Sequence, residues 1–184
     1  VGGWLADRLI KAKIIRDRKL SPEEEVLPLH DHAIVVGFGP AGKGVVDALQ
    51  NTDVPAVVVD LNPKLVEEAK KWGLHAELGD ASQETILEHL NLHDCRALII
   101  TIPDHRAGIE IIAQAREAAP HALIVARARY NRHAGDLSHA GAHVVLDEET
   151  IVGNILGERI IRSFTPHVSG VQRAFVESSE KKRQ

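Results

Sequence analysis

Three glycines in the first third of the chain have the spacing of a turn that binds nucleotide phosphates. Gly37, Gly39 and Gly42 form the pattern G-x-G-x-x-G directly after an apolar run at residues 32–36. The first glycine permits the dihedral angles of a tight turn, the second lets the backbone approach a pyrophosphate, and the third allows close helix–strand packing. The helix that follows directs free N–H groups and its positive dipole end at the phosphate. The same triplet also occurs in glycine-rich turns that bind nothing, so later residues decide between the two interpretations.

Asp60 supports the nucleotide interpretation. It ends the second apolar run, at about the 20-residue distance from the first glycine that is typical of an acid bound to an adenosine ribose. A carboxylate there repels a 2′-phosphate, and the following Leu61-Asn-Pro63 offers no arginine to receive one. The pattern therefore favours NAD(H), AMP or another adenine nucleotide over NADP(H). The alternative is that Asp60 caps a helix beginning at Pro63.

Apolar runs alternate with amphipathic stretches along the chain, which predicts an α/β fold with a Rossmann-like, doubly wound, parallel six-stranded sheet. The strands are predicted to begin at residues 32, 56, 75, 96, 122 and 142. The helices are predicted at residues 43–50, 64–72, 83–90, 107–119, 137–140 and 149–163. Because ligands of such sheets bind at the carboxyl ends of the strands, the residues that leave each strand are the candidate site.

The predicted binding residues come from five such segments. Like Asp60, two further candidates have alternative roles, since Asp80 fits a cap for the helix at 83–90 and Arg127 fits a surface ion pair with a carboxylate. The complete candidate set is Gly37, Phe38, Gly39, Pro40, Ala41, Gly42, Asp60, Leu61, Asp80, Ala81, Thr101, Ile102, Pro103 and Arg127.

Composition indicates one globular domain with appendages. The chain has 184 residues, 44% hydrophobic and 26% charged, with a net charge of -4, which argues against a general nucleic-acid binder. It has one cysteine and no methionine, and we interpret it as a piece of a longer polypeptide. We predict a basic amphipathic segment and linker at 1–29, a domain at 30–164 and a charged tail at 165–184. The segment from Trp4 to Leu20 suits either an anionic membrane surface or a helix packed on protein.

Catalysis is not predicted. Only about twenty residues follow the last helix, which leaves no room for the substrate domain of a dehydrogenase. The 11 histidines are scattered, and His89 and His93 share a helical face without a third ligand, so no metal site is predicted. His105, beside Asp104, is expected to make a loop contact, and Cys95 to be inert.

The order of several short motifs resembles the regulator of potassium conductance domain, also called the KTN or TrkA-N domain. The motifs are Val35-Val-Gly-Phe-Gly, the strand-ending Asp60, Gly79-Asp-Ala81, Thr101-Ile-Pro-Asp104, Val125-Ala-Arg-Ala-Arg129 and Gly141-Ala-His-Val-Val145. Within the family, the chain looks most like the C-terminal domain of Kef-type monovalent cation:proton antiporters.

The resemblance implies a nucleotide-binding regulatory domain that gates a potassium efflux antiporter or channel. It implies a cytoplasmic location at the inner face of the membrane and a membrane transport domain upstream of Val1. It also implies a homodimer that exchanges a C-terminal crossover helix, at residues 149–163. The alternatives are a small NAD-dependent oxidoreductase and a detached peripheral subunit of a Trk-type channel.

Two departures from the family pattern refine the expected ligand. Many relatives carry arginine or serine where this chain has Pro40, so AMP or NAD(H) is expected ahead of ATP or ADP. The residues after the sixth strand, 146–154, do not follow the glutathione-gated pattern, and glutathione control is not expected.

Overall fold

Six runs of β-branched and small apolar residues form one parallel sheet in the computed structural model, which describes residues 29–164. The predictions for the basic amphipathic segment and for the charged tail lie outside the described residues. The strands are β1 (His32–Val36), β2 (Ala56–Asp60), β3 (His75–Leu78), β4 (Cys95–Ile100), β5 (Leu123–Ala128) and β6 (Val144–Asp147). The helices are α1 (Pro40–Leu49), α2 (Pro63–Lys71), α3 (Glu84–His89), α4 (His105–Ala118), α5 (Ala134–Ala140) and α6 (Glu148–Phe164).

The strand order is β3-β2-β1-β4-β5-β6, and every neighbouring pair is parallel. Ile34 of β1 lies in register with Val57 on one side and with Leu98 on the other. The chain therefore winds outward from the centre in both directions, and a crevice opens at the carboxyl ends of β1 and β4. The predicted doubly wound α/β sheet is confirmed.

The sheet has an apolar core on each face. On one face Ile34 and Leu98 pack with Leu87 of α3, Ile112 of α4 and Leu137 of α5. On the other face, the core joins residues of β1, β2 and β3 to α1 and α2: Val35, Phe38, Val46, Val58, Val66, Ala69 and Ala76. Strands covered on both faces need continuous apolar runs, which is why the central strands read as Val- and Ile-rich without alternation.

Some element boundaries differ from the sequence prediction for local reasons. α1 begins at Pro40, not at residue 43, because proline fits the first helical turn, where its missing N–H costs no hydrogen bond. α5 begins at Ala134, directly after a short 3-10 helix at Asn131–His133. β6 begins at Val144, since Gly141 ends α5 with a φ of 113° and Ala142 still bonds back to Leu137.

Of the helices within residues 29–164, none combines the length and the apolar character needed to cross a bilayer.

His32 is a polar residue at the start of the central strand. Its side chain is fully buried, and Nε2 lies 2.8 Å from the carbonyl oxygen of Leu90. Its Nδ1 has no hydrogen-bond partner among the described residues. Burial, which disfavours the charged imidazolium, lowers the pKa of His32 below its ordinary value of 6.5. The neutral ring, with Nε2–H donating to Leu90, is the form that fits this site.

We expect His32 to make the domain less stable in mild acid. With a folded-state pKa below the unfolded value of 6.5, stability is complete above that pH and falls as the pH drops toward the folded pKa. Each unit of depression is worth about 1.4 kcal/mol. The free energy of unfolding, measured with urea, should fall less between pH 7.5 and pH 5.5 for His32→Gln than for wild type. The exposed His121 provides the control, and a His32→Gln loss equal to that of His121→Gln would contradict this assignment.

Candidate functional site

A cavity of about 310 Å³ opens at the carboxyl ends of β1, β2 and β4, where the sequence predicts a ligand. It brings together six of the predicted binding residues, namely Asp60, Leu61, Asp80, Ala81, Ile102 and Pro103. Val36, Val59 and Ile111 give it an apolar floor. An apolar slot with a few carboxylates at its rim suits a purine nucleoside, whose base is flat and whose ribose carries hydroxyl donors.

A larger groove of about 700 Å³ lies beside the start of α1, between that helix and the strands β4, β5 and β6. Four other predicted residues line it: Pro40, Ala41, Thr101 and Arg127. The remaining four, Gly37, Phe38, Gly39 and Gly42, belong to the turn between β1 and α1 and line neither cavity. The structure thus divides the predicted set between two neighbouring hollows and the turn beside them.

The three glycines of the turn differ in what their missing Cβ atoms permit. Gly37 has a φ of 93°, which only glycine adopts without strain. A Cβ on Gly42 would lie 1.9 Å from the carbonyl oxygen of Gly37, so this glycine is needed for close packing. A Cβ on Gly39 would meet nothing within 4 Å. The backbone at Gly39 is therefore open to a ligand, as the sequence pattern requires of its second glycine.

Phe38 takes part in the turn through its backbone. Its side chain is fully buried and meets Trp72 edge-on, with ring centroids 5.3 Å apart. Its N–H donates to Asp60 Oδ2 at 2.7 Å. The aromatic ring anchors the turn in the core, and ligand contact by this side chain is ruled out in this conformation.

Asp60 joins the end of β2 to the glycine turn. Besides the bond from Phe38, its Oδ1 accepts the N–H of Asn62 at 2.8 Å. Asn62, and not Asp60, caps α2 by accepting the N–H of Lys64 at 3.0 Å. The carboxylate has about four acceptor positions, so capacity remains for ribose hydroxyls beside these two bonds.

Asp80 also stabilises a loop of the cavity wall. Its Oδ1 accepts the N–H of Ser82 at 3.0 Å and the Ser82 hydroxyl at 2.8 Å. It does not cap α3, whose N-cap residue is Gln83. Gln114 of α4 supports the same loop by donating from Nε2 to the Ser82 carbonyl at 2.5 Å. Sequence reasoning missed Gln114, because its partner lies 32 residues away and no local pattern points to it.

Thr101 and Arg127 connect the turn to the last helix. The Thr101 hydroxyl lies 2.9 Å from the carbonyl oxygens of both Val36 and Gly37. Arg127 donates from Nη1 to the Thr101 carbonyl at 3.0 Å, and from Nε and Nη2 to Glu148 Oε2 at 2.8 and 2.5 Å. Arg127 is thus paired with a carboxylate, as in the alternative interpretation. Glu148 lies 21 residues away in sequence, and no local pattern identifies it.

The groups considered for catalysis have structural partners. Asp104 caps α4 by accepting the N–H groups of Arg106 and Ala107. The His105 ring stacks on His133, with centroids 3.8 Å apart. Burial raises the pKa of Cys95 to about 11, which keeps its thiol protonated and unreactive at neutral pH. Within residues 29–164, no three His, Cys, Asp or Glu side chains converge as metal ligands.

Comparisons with known proteins connect this chain and its fold with one family. The model of the TrkA-N domain matches residues 33–148. The putative cation/proton antiporter YbaL of Escherichia coli is 32% identical over 154 residues, covering 80% of this chain but 28% of YbaL. The crystal structure of the TrkA-N domain of ybaL superposes with a TM-score of 0.68 at 32% identity, covering 72% of this chain and 98% of that domain.

Two more distant structures share the fold. The Kef C-terminal domain of Shewanella denitrificans in its AMP-bound form has a TM-score of 0.66 at 24% identity, covering 82% of this chain and 92% of that one. The GsuK channel bound to NAD has a TM-score of 0.65 at 20% identity, covering 83% of this chain and 28% of GsuK. GsuK is also known bound to ADP.

The two helical glycines at the start of α1 provide a test of the turn. Gly42→Ala should lower the free energy of unfolding by about 1–3 kcal/mol, because its Cβ overlaps the Gly37 carbonyl. Gly44→Ala is the matched control: its Cβ meets nothing within 4 Å, so it should leave stability unchanged or raise it by up to about 1 kcal/mol. Urea denaturation measures both, and equal effects of the two substitutions would contradict the proposed close packing.

Proposed function

The chain belongs to the TrkA-N domain family, and we propose that it is a nucleotide-sensing regulatory domain that gates a potassium or other monovalent cation efflux antiporter or channel. Its similarity to the antiporter YbaL supports this proposal. The chain spans 28% of that relative's length, so the proposed partner is a membrane transport domain, upstream of Val1 in the same polypeptide. The proposed location is cytoplasmic, at the inner face of the membrane. We propose regulation and not catalysis, as Asp104, one of the acids that line the cavity, is used as a helix cap.

The proposed ligand is an adenine nucleotide held by the cavity and the glycine turn. Its base would lie in the slot between Ala81 and Pro103, with Asp80 as an acceptor for the exocyclic amine. Its ribose hydroxyls would donate to Asp60, and its phosphate would face Gly39 and the start of α1. The AMP-bound Kef domain and the NAD-bound GsuK channel support this class of ligand.

The charges beside the turn favour AMP or NAD(H) over ATP, ADP and NADP(H). Pro40 removes one N–H donor from the first turn of α1. Lys43 pairs with Glu68 at 2.7 Å, and Arg127 pairs with Glu148. Both cations are therefore already neutralised by carboxylates, which leaves little positive charge for a polyphosphate chain. A 2′-phosphate would lie against the Asp60 carboxylate.

Calorimetric titration with AMP, NAD+, ADP, ATP and NADP+ tests the ligand. AMP or NAD+ should bind most tightly. Asp60→Asn should weaken binding by about 10- to 150-fold, as expected for lost hydrogen bonds to a charged acceptor worth 1.5–3 kcal/mol. It should also narrow the difference between NAD+ and NADP+. Asp53→Asn, a change at an exposed aspartate, is the control. Negligible heats with all five nucleotides would refute the proposed ligand.

We also propose that the domain is a homodimer in which α6 is exchanged. α6 has no buried residue, although many of its side chains are apolar. Five of these are 48–80% exposed, namely Val152, Ile155, Leu156, Ile160 and Phe164. The groove beside α1 is likewise apolar and uncovered, with Leu146 49% exposed at its edge. One chain therefore carries both a helix with exposed apolar side chains and an open apolar groove. In a two-fold dimer, each helix would cover the groove of the other copy.

A charge on the apolar face of α6 should separate the dimer. Ile155→Asp places a carboxylate in the proposed interface and should raise the dimer dissociation constant at least about tenfold, since an unpaired buried charge costs well over 1.4 kcal/mol. Asn154→Asp, one position away on the polar side, should leave dimerisation unchanged. Sedimentation equilibrium measures both variants. A monomeric wild type at high concentration, or an Ile155→Asp variant as dimeric as wild type, would contradict the exchange.

A further inference from the structure

Two anchors hold the first turn of α6 to the rest of the domain. In the first, Glu148 Oε2 accepts two hydrogen bonds from Arg127. In the second, the side-chain amide of Asn131 donates to the Asp147 carboxylate, and the backbone N–H of Asn131 donates to Glu149 Oε2 at 2.9 Å. Hydrogen bonds from Asn131 and from the Thr150 hydroxyl hold the pKa of Asp147 below its usual range. The direction in which α6 leaves the domain is set at these two points.

The first anchor continues to the glycine turn. The same guanidinium that binds Glu148 donates to the Thr101 carbonyl at 3.0 Å. The Thr101 hydroxyl in turn lies 2.9 Å from the Gly37 carbonyl. A guanidinium is planar and rigid, so it fixes Glu148 and Thr101 relative to each other. Both side chains of the ion pair are partly shielded from solvent, with exposures of 28% for Arg127 and 44% for Glu148.

The second anchor leads elsewhere. Asn131 belongs to the 3-10 helix that follows β5, and its bonds link α6 to that helix. The two anchors therefore hold the same turn of α6, but the first also reaches the residues that would hold a phosphate. This difference allows the two contributions to be separated by substitution.

We propose that Glu148 is a positioning residue that couples the glycine turn to α6 through Arg127 and Thr101. A ligand that orders the turn fixes the Gly37 carbonyl, and with it Thr101, the guanidinium and the first turn of α6. Because coupling between two sites is reciprocal, fixing α6 against a second copy stabilises the turn by the same factor. This inference rests on the proposed function and adds the residues through which it would be regulated.

Hydrogen exchange of the backbone amides tests the coupling without any ligand. Glu148→Gln keeps the size of the side chain and removes its charge, and it should speed exchange at residues 37–42 by at least about fivefold, the lower end of typical coupling. Asn131→Ala removes the side chain of the other anchor and should change exchange at residues 37–42 by less than about twofold. Unchanged exchange at the turn in Glu148→Gln would overturn the proposal. Equal acceleration in both variants, or acceleration spread evenly over the domain, would show a merely structural role and would also overturn it.

A second measurement uses AMP as the probe. In wild type, AMP should change the dimer dissociation constant at least about fivefold. In Glu148→Gln, the dissociation constants with and without AMP should be nearly equal. Asn131→Ala should weaken the dimer but keep the ratio. A Glu148→Gln variant that keeps the full wild-type ratio would overturn the coupling. If wild type binds no nucleotide, the proposed function fails, while the exchange experiment still decides whether Glu148 is coupled to the turn.

Discussion

The close approach of three backbone segments around the Gly37 carbonyl is the constraint on which the crevice depends. Gly42 brings α1 so near that a Cβ would lie 1.9 Å from that oxygen. Thr101 holds the same oxygen from the end of β4 at 2.9 Å. A carbonyl clamped from both sides fixes the direction of the first turn of α1, where unpaired N–H groups emerge. The two contacts thereby hold the start of α1, where Pro40 and Ala41 line the larger groove, against the end of β1 and the residue after β4.

Carboxylates organise the surroundings of this turn. Asp60 fastens the end of β2 to Phe38, Asp80 shapes the loop at Ser82, and Glu148 holds Arg127. In each case the acid satisfies backbone or guanidinium donors that would otherwise be free. The cations Lys43 and Arg127 are paired with carboxylates, and the cavity has an apolar floor. Ligand recognition at this site therefore depends on shape and on a small number of hydrogen bonds more than on charge.

The two halves of the sheet are covered unequally. α1 and α2 protect β1, β2 and β3 on one face, whereas Leu123, Val144 and Leu146 of β5 and β6 on that face are 43–49% exposed. α6, the helix after β6, carries its apolar residues outward. Surfaces of this kind rarely remain open to water. The same uncovered half is joined to the glycine turn through Arg127, which places the proposed contact with a second copy next to the proposed ligand.

The sequence by itself determined the order and type of the elements, since apolar runs, glycines and prolines act locally through burial and backbone dihedrals. It also identified the six residues that meet at the smaller cavity, because strand ends of a parallel sheet must share one edge. Tertiary structure decided the roles of individual polar groups. Whether Asp60 capped a helix or joined the turn depended on Asn62 supplying the cap, and the partner of Arg127 came from 21 residues away. Gln114 and Glu148 became visible only when folding brought them to their partners, because a hydrogen bond between distant segments leaves no periodic trace in the chain.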